Sequence, residues 1–214
     1  MTKTPKKKDY TANVRASIDG HRFHWYWTAH ESLKLLDPSQ SLAKIGVEGL
    51  GSETPIEGEE IADVVRYFRS SAGGSISDDK QIVQIKYATK KPGIPYGWTY
   101  LRKTLVKFAA LYKAQCIGDK ESTLESTTTF LFLSNRPAAE KFKKFFEAPE
   151  LGSQVHHPFT LLKSATSKLG LTDDELIDFA QRCTLEDNAP LIHDVVVQGR
   201  RVASNLAPGD VDLP

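Results

Sequence analysis

Residues 60–88 read EIADVVRYF (60–68), then RSSAGGSISDD (69–79), then KQIVQIKYA (80–88). Two runs rich in Val, Ile, Tyr and Phe flank a Gly-, Ser- and Asp-rich stretch, the pattern of two strands joined by a loop. Each run carries polar groups that a plain hairpin does not need. Asp63 sits inside the apolar part of the first. In the second, Gln84 and Lys86 are two apart and share one face of a strand. An acid, an amide and an amine are thereby brought to one patch, a set able to hold a divalent metal beside a phosphate.

Upstream, FHWYWTAHESLKLL (23–36) repeats Phe23, Tyr26, Trp27, His30 and Leu33 at helical steps, which predicts an amphipathic helix from Arg22 to Leu36 that Asp37-Pro38 stops. AKIGVEGL (43–50) reads as a strand, and 51–58 as an acidic connector. Downstream, KKPGIPYGW (90–98) is a Pro/Gly excursion before a long helix, Trp98 to Cys116. Leu101, Leu105, Phe108 and Tyr112 form its apolar stripe, with Arg102, Lys103, Lys107 and Lys113 opposite. TTTFLFLSN (127–135) is a buried-strand pattern, and Pro137 is expected to open a helix as its first-turn residue. Helices are predicted at His157–Leu169 and Thr172–Arg182, the second with Thr172 and Glu175 spaced as a capping box. Strand, helix, strand over 80–135 is a crossover and implies parallel pairing there. The expected fold class is α/β, a mixed sheet flanked by helices.

A chain of 214 residues has the size of one large domain. The net charge of +1 supplies no global field for nucleic acid, so any DNA contact must be a local basic patch. No apolar run reaches the ~20 residues of a membrane span. The N-terminal MTKTPKKKDY lacks the apolar core of a signal peptide. Cys116 and Cys183 are far apart and read as reduced thiols of a cytoplasmic protein. Residues 1–19, with Lys3, Lys6, Lys7 and Lys8, are expected to be a basic flexible tail, 20–185 the α/β domain, and 186–214 an extension or linker to a missing module.

Phosphodiester hydrolysis needs a metal on the scissile phosphate, acidic oxygens to hold it, and a cation for charge on the phosphate oxygens. Asp63 is the candidate central ligand, the Ile85 backbone carbonyl a second, Lys86 the cation, and Gln84 a ligand or water-orienting group. The second carboxylate stays open among Glu31, Glu48 and Glu60. Lys90, Lys91, Arg102, Lys103 and Lys107 are the candidate phosphate-backbone contacts. Such contacts carry no sequence information, so binding is expected to be non-specific.

Asp63, the Gln84-Ile85-Lys86 triplet, the long helix and then FLFLSN resemble the PD-(D/E)xK restriction-endonuclease-like superfamily in its QxK variant. The arrangement is similar in particular to the N-terminal double-stranded-DNA nuclease domain of bacterial antiphage defence proteins. The resemblance spans residues 20–185 and its tight motif is QIK; the Asp63 strand lacks a tight Glu/Asp pair following a proline. It implies a restriction-endonuclease-like core with C-terminal helices. It also implies Mg²⁺-dependent cleavage of double-stranded DNA (Mn²⁺ as the alternative ion) with Asp63, Gln84 and Lys86 in the matching positions, and a fused or associated sensor or ATPase module. Cutting both strands together takes two copies, consistent with a homo-oligomer.

Blander readings stand beside this one. Asp63 and Lys86 also fit an ordinary ion pair, and the fold also fits a degenerate module that binds DNA or assembles partners. Phe142, Phe145 and Phe146 are candidates for an exposed docking patch. His21, His24 and His30 lack the four-residue step of a helical zinc motif. Trp25, Tyr26 and Trp27 read as core aromatics.

Overall fold

The computed structural model describes residues 10–48, 61–69, 76–89, 92–117, 127–148 and 157–206. Its elements are α1 (Tyr10–Leu33), β1 (Leu42–Val47), β2 (Val64–Arg69), β3 (Ile76–Lys86), α2 (Trp98–Tyr112), β4 (Thr128–Ser134), α3 (Glu140–Glu147), α4 (His157–Thr166), α5 (Asp173–Gln181), β5 (Cys183–Glu186) and α6 (Ile192–Leu206). The five strands form one mixed sheet in the order β1-β2-β3-β4-β5. β1, β2 and β3 pair antiparallel, while β3–β4 and β4–β5 are parallel. The α/β class and the parallel crossover through α2 are therefore as the sequence predicts.

Two cores lie on the two faces. Val65, Ile82, Phe130 and Phe132 point to a layer of α2, α3, α4 and α5, packing against Leu101, Leu105, Phe108, Phe142 and Phe179. Each such apolar side chain contributes roughly 1.5–3 kcal/mol by leaving water. Val64, Val83, Ile85, Leu131 and Leu133 point the other way, to Phe23 and Trp27 of α1 and Val195 of α6. Strand parity sorts these two sets, because alternate residues face opposite sides.

Several expectations change. α1 begins at Tyr10, not Arg22, because Gly20 is tolerated within it; glycine costs a helix only about 1 kcal/mol. The expected tail residues 10–19 thus belong to α1, whereas Lys3, Lys6, Lys7 and Lys8 lie outside the described residues. Pro137 does not open a helix. It lies in an extended link where Ala138 bridges to Tyr96, and α3 starts at Glu140. Phe142, Phe145 and Phe146 are buried rather than an exposed patch. Of the three consecutive aromatics only Trp27 is buried, while Trp25 and Tyr26 are exposed. At 100° per residue three neighbours cannot all face inward. The region expected to be a linker contains β5's last residue and α6, which packs on α1. The capping box of α5 is present as read, with Glu175 N–H donating to the Thr172 hydroxyl and the Glu175 carboxylate accepting from Thr172 N–H.

Candidate active site at the end of the β2–β3 ladder

The β2–β3 register pairs Val64 with Val83, so Asp63 and Gln84 are the next residues opposite one another. β2 begins at Val64, whereas β3 runs on to Lys86. The N–H of Ile85 therefore projects past the start of β2. Asp63 fills that place with its side chain: Oδ2 accepts from Ile85 N–H at 2.6 Å and also from Gln84 Nε2. The backbone fixes Asp63 on both sides, its N–H donating to Val83 O at 3.0 Å and its carbonyl accepting from Glu48 N–H at 3.0 Å.

Gln84 and Lys86 share a face with Ile82, the side covered by α2. The chain beyond Lys86 is clamped by Asn135 directly after β4. Its Oδ1 accepts from Ala88 N–H at 2.8 Å and its Nδ2 donates to Ala88 O at 2.9 Å. This holds the exit of β3 and with it the position of Lys86. Burial pushes the Lys86 amine below its ordinary range; Asp63 draws it back up, and the charges of Lys103 and Lys107 push it down again. Two of the predicted DNA-facing lysines, one helical turn apart on α2, thus act on the same locus as Lys86. Arg102 is exposed on α2.

His24, on α1, was set aside in the sequence for lack of a helical zinc spacing, yet it reaches this site. Its Nε2 lies 3.2 Å from the Ile85 carbonyl oxygen and 3.9 Å from Asp63 Oδ2. Burial lowers its pKa from the usual histidine value, which favours the neutral imidazole, against the pull of Asp63 and the Ile85 carbonyl. Asp63 itself is raised by burial, opposed first by His24 and then by Ile85 N–H, Lys86 and Gln84. The signal available in the sequence was its place beside Phe23 and one turn from Trp27, on the edge of the buried stripe.

The candidates for a second carboxylate fare differently. Glu31 is buried and fully engaged by Arg66 and by Lys34 at 2.7 Å, with His30 Nδ1 at 3.7 Å. Arg66 also donates to Gln81 Oε1 at 2.9 Å and stacks over Trp27. Val64, Arg66 and Phe68 alternate with Asp63, so this network belongs to the opposite face. Glu48 approaches Asp63 through its backbone N–H, with a left-handed φ of 55°, and its side chain is exposed. Among the described residues no three His, Cys, Asp or Glu side chains form a metal-holding group. Neither Glu31 nor Glu48 therefore joins Asp63 and His24. Glu60, Lys90 and Lys91 lie outside the described residues.

Among the described residues, the donors at the ladder end are thus one carboxylate, the Ile85 carbonyl, the Gln84 amide and the His24 imidazole. A half-turn of the Gln84 amide exchanges its N–H for an oxygen donor. Magnesium sites commonly use one or two carboxylates with waters, so the oxygen set fits one hard cation, and the imidazole adds a nitrogen suited to Mn²⁺. No protein-family model and no curated protein matches this chain.

Proposed function

We propose that this chain is a metal-dependent endonuclease domain. It hydrolyses double-stranded DNA with little sequence specificity and acts as the effector of a bacterial antiphage defence system, switched on by a sensor or ATPase module. One observation carries the reading: Asp63, Gln84, the Ile85 carbonyl and Lys86 converge at one ladder end, with Lys103 and Lys107 bearing on Lys86.

In this mechanism Asp63, the Ile85 carbonyl, the Gln84 amide oxygen and His24 Nε2 would hold the ion. When bound, Mg²⁺ or Mn²⁺ supplies a Lewis acid at the phosphate and lowers the pKa of a coordinated water. Lys86 holds the scissile phosphate oxygens and offsets the charge that builds on them. Lys103 and Lys107, with Arg102, contact the backbone without reading bases. Asn135 keeps Lys86 in place. Purified protein is expected to nick plasmid DNA with Mg²⁺ or Mn²⁺ and to stop with EDTA. Asp63→Asn and Lys86→Ala should each lower the rate at least about 100-fold. Cleavage at the wild-type rate by either variant sinks the assignment.

A second reading, a degenerate nuclease-fold module that binds DNA or assembles partners, is favoured by the complete engagement of Glu31 away from Asp63. It predicts salt-dependent duplex binding with no nicking under either ion.

A further inference from the structure

The two faces of α1 meet different surroundings. Phe23, Trp27 and Glu31, at steps of four, are buried. The opposite face carries Ile18, His21, Arg22, Trp25 and Tyr26, all exposed. Trp25 keeps 66% of its surface in water, against 5% for Trp27 on the buried face. Helical spacing makes one patch of these residues, since Arg22 lies one turn from Ile18, Trp25 and Tyr26. Grouped exposed apolar side chains mark binding surfaces. The charge of the patch is one-sided. Asp19 is the only acid between 17 and 30. It is half-buried and its charge acts on the Tyr87 phenol, which lies with Phe23 in the α1-side core.

The patch runs on into the candidate site. His24, which reaches Ile85 O and Asp63, carries the His21 ring edge-on, with centroids 6.4 Å apart. Trp25 follows His24 directly and stands one turn from His21. Rings therefore lead from Asp63 out to an open indole, with a guanidinium beside it.

Two occupants compete for such a face. One face of one helix offers far fewer than the ~20–30 residues a side of a stable protein interface, which argues against a second copy. Interleaved aromatic and cationic groups without an exposed acid suit a polyanion that carries flat rings. Paired bases hide their faces in the duplex stack, so the matching ligand has unpaired bases.

We propose that this face of α1 binds single-stranded DNA, with Trp25 stacked on a base and Arg22 on the phosphate backbone. Its service to cleavage, leading an unpaired strand to His24 and Asp63, rests on the reading above; strand binding itself does not. The probe is a short 5′-labelled oligothymidylate titrated into the full chain in EDTA, read by anisotropy and by tryptophan fluorescence. Wild type should bind saturably, more tightly at low salt, with quenching of the indole signal. Trp25→Ala should melt as wild type does, lose most of the quenching and bind about tenfold more weakly. Trp25→Phe should recover most of that affinity, because a phenyl ring still stacks. Arg22→Gln should lower the salt slope by about 0.7. A blunt duplex should bind equally to wild type and Trp25→Ala.

No saturable binding of the oligonucleotide by wild type, or equal affinity in Trp25→Ala, overturns the proposal. Sedimentation supplies the other arm: a dimer of wild type that Trp25→Ala dissociates gives the face to a second copy and overturns it too. Plasmid cleavage by a protein that binds no single strand overturns this site and leaves the nuclease reading standing. Strand binding through Trp25 without cleavage keeps the site and sinks the nuclease reading.

Discussion

Lys86 and Arg66 lie on the two sides of one sheet, and burial treats them differently. Lys86 is half-buried with its amine pushed down, because burial and the charges of Lys103 and Lys107 outweigh the pull of Asp63. Lys86→Met is therefore expected to abolish cleavage while melting at or above the wild-type temperature in differential scanning calorimetry. A clear fall in Tm would make Lys86 a structural residue. Arg66, by contrast, neutralises the buried Glu31. Arg66→Ala leaves that carboxylate with only Lys34 and the more distant His30 and should cost about 3 kcal/mol by urea unfolding. The double replacement Glu31→Leu with Arg66→Met should recover most of the loss, since an apolar pair of similar volume substitutes well for a buried ion pair. It should also retain cleavage; loss of cleavage in a folded double variant would return Glu31 to the list of metal ligands. At this scale Gln84 and Lys86 were legible from spacing alone. Glu31 was not, because only the β2 register shows that Arg66 claims it.

Among the elements, α1 and α6 carry the largest departures from the sequence pattern. Both contain an interior glycine, Gly20 and Gly199. A Cβ at Gly20 meets nothing within 4 Å, and one at Gly199 comes no closer than 4.0 Å, to His30 of α1. Gly20→Ala and Gly199→Ala should each stabilise the protein by about 0.5–1 kcal/mol, measured by chemical denaturation. Destabilisation by Gly20→Ala would mean that α1 is broken there. The β-branched run Val195-Val196-Val197 is a poor helix former by itself. α6 forms because Val195 is buried with Phe23 and Trp27 in the α1-side core. β5, only four residues long, likewise exists through its pairing with β4. Short or weakly patterned segments are those in which tertiary packing decides the outcome.

For the whole molecule, burial of weak acids sets a stability limit in alkali. Cys183, Tyr96 and Tyr112 are all raised by burial from unfolded values of 9.0, 10.0 and 10.0. The folded state keeps these protons after the unfolded chain has released them. Their contribution is fully present below the unfolded values and is lost as pH rises through and past them. Urea-unfolding free energy should therefore decline between about pH 9 and 11, by up to about 1.4 kcal/mol per pH unit for each group. Cys183→Ala should flatten the part that begins near pH 9, and Tyr96→Phe the part that begins near pH 10. A flat profile in wild type would contradict the burial of all three.

Period and parity in the sequence were enough for the α/β class, the parallel crossover, the capping box and the shared face of Gln84 and Lys86. These depend on local backbone geometry, which spacing encodes directly. What required the folded chain was every pairing across distance. The register that puts Asp63 opposite Gln84 and under the Ile85 N–H, the arrival of His24 from α1, the engagement of Glu31 by Arg66 and the docking of α6 join residues with no fixed spacing between them. Such contacts are set by how the layers close over the sheet, and no local pattern records that.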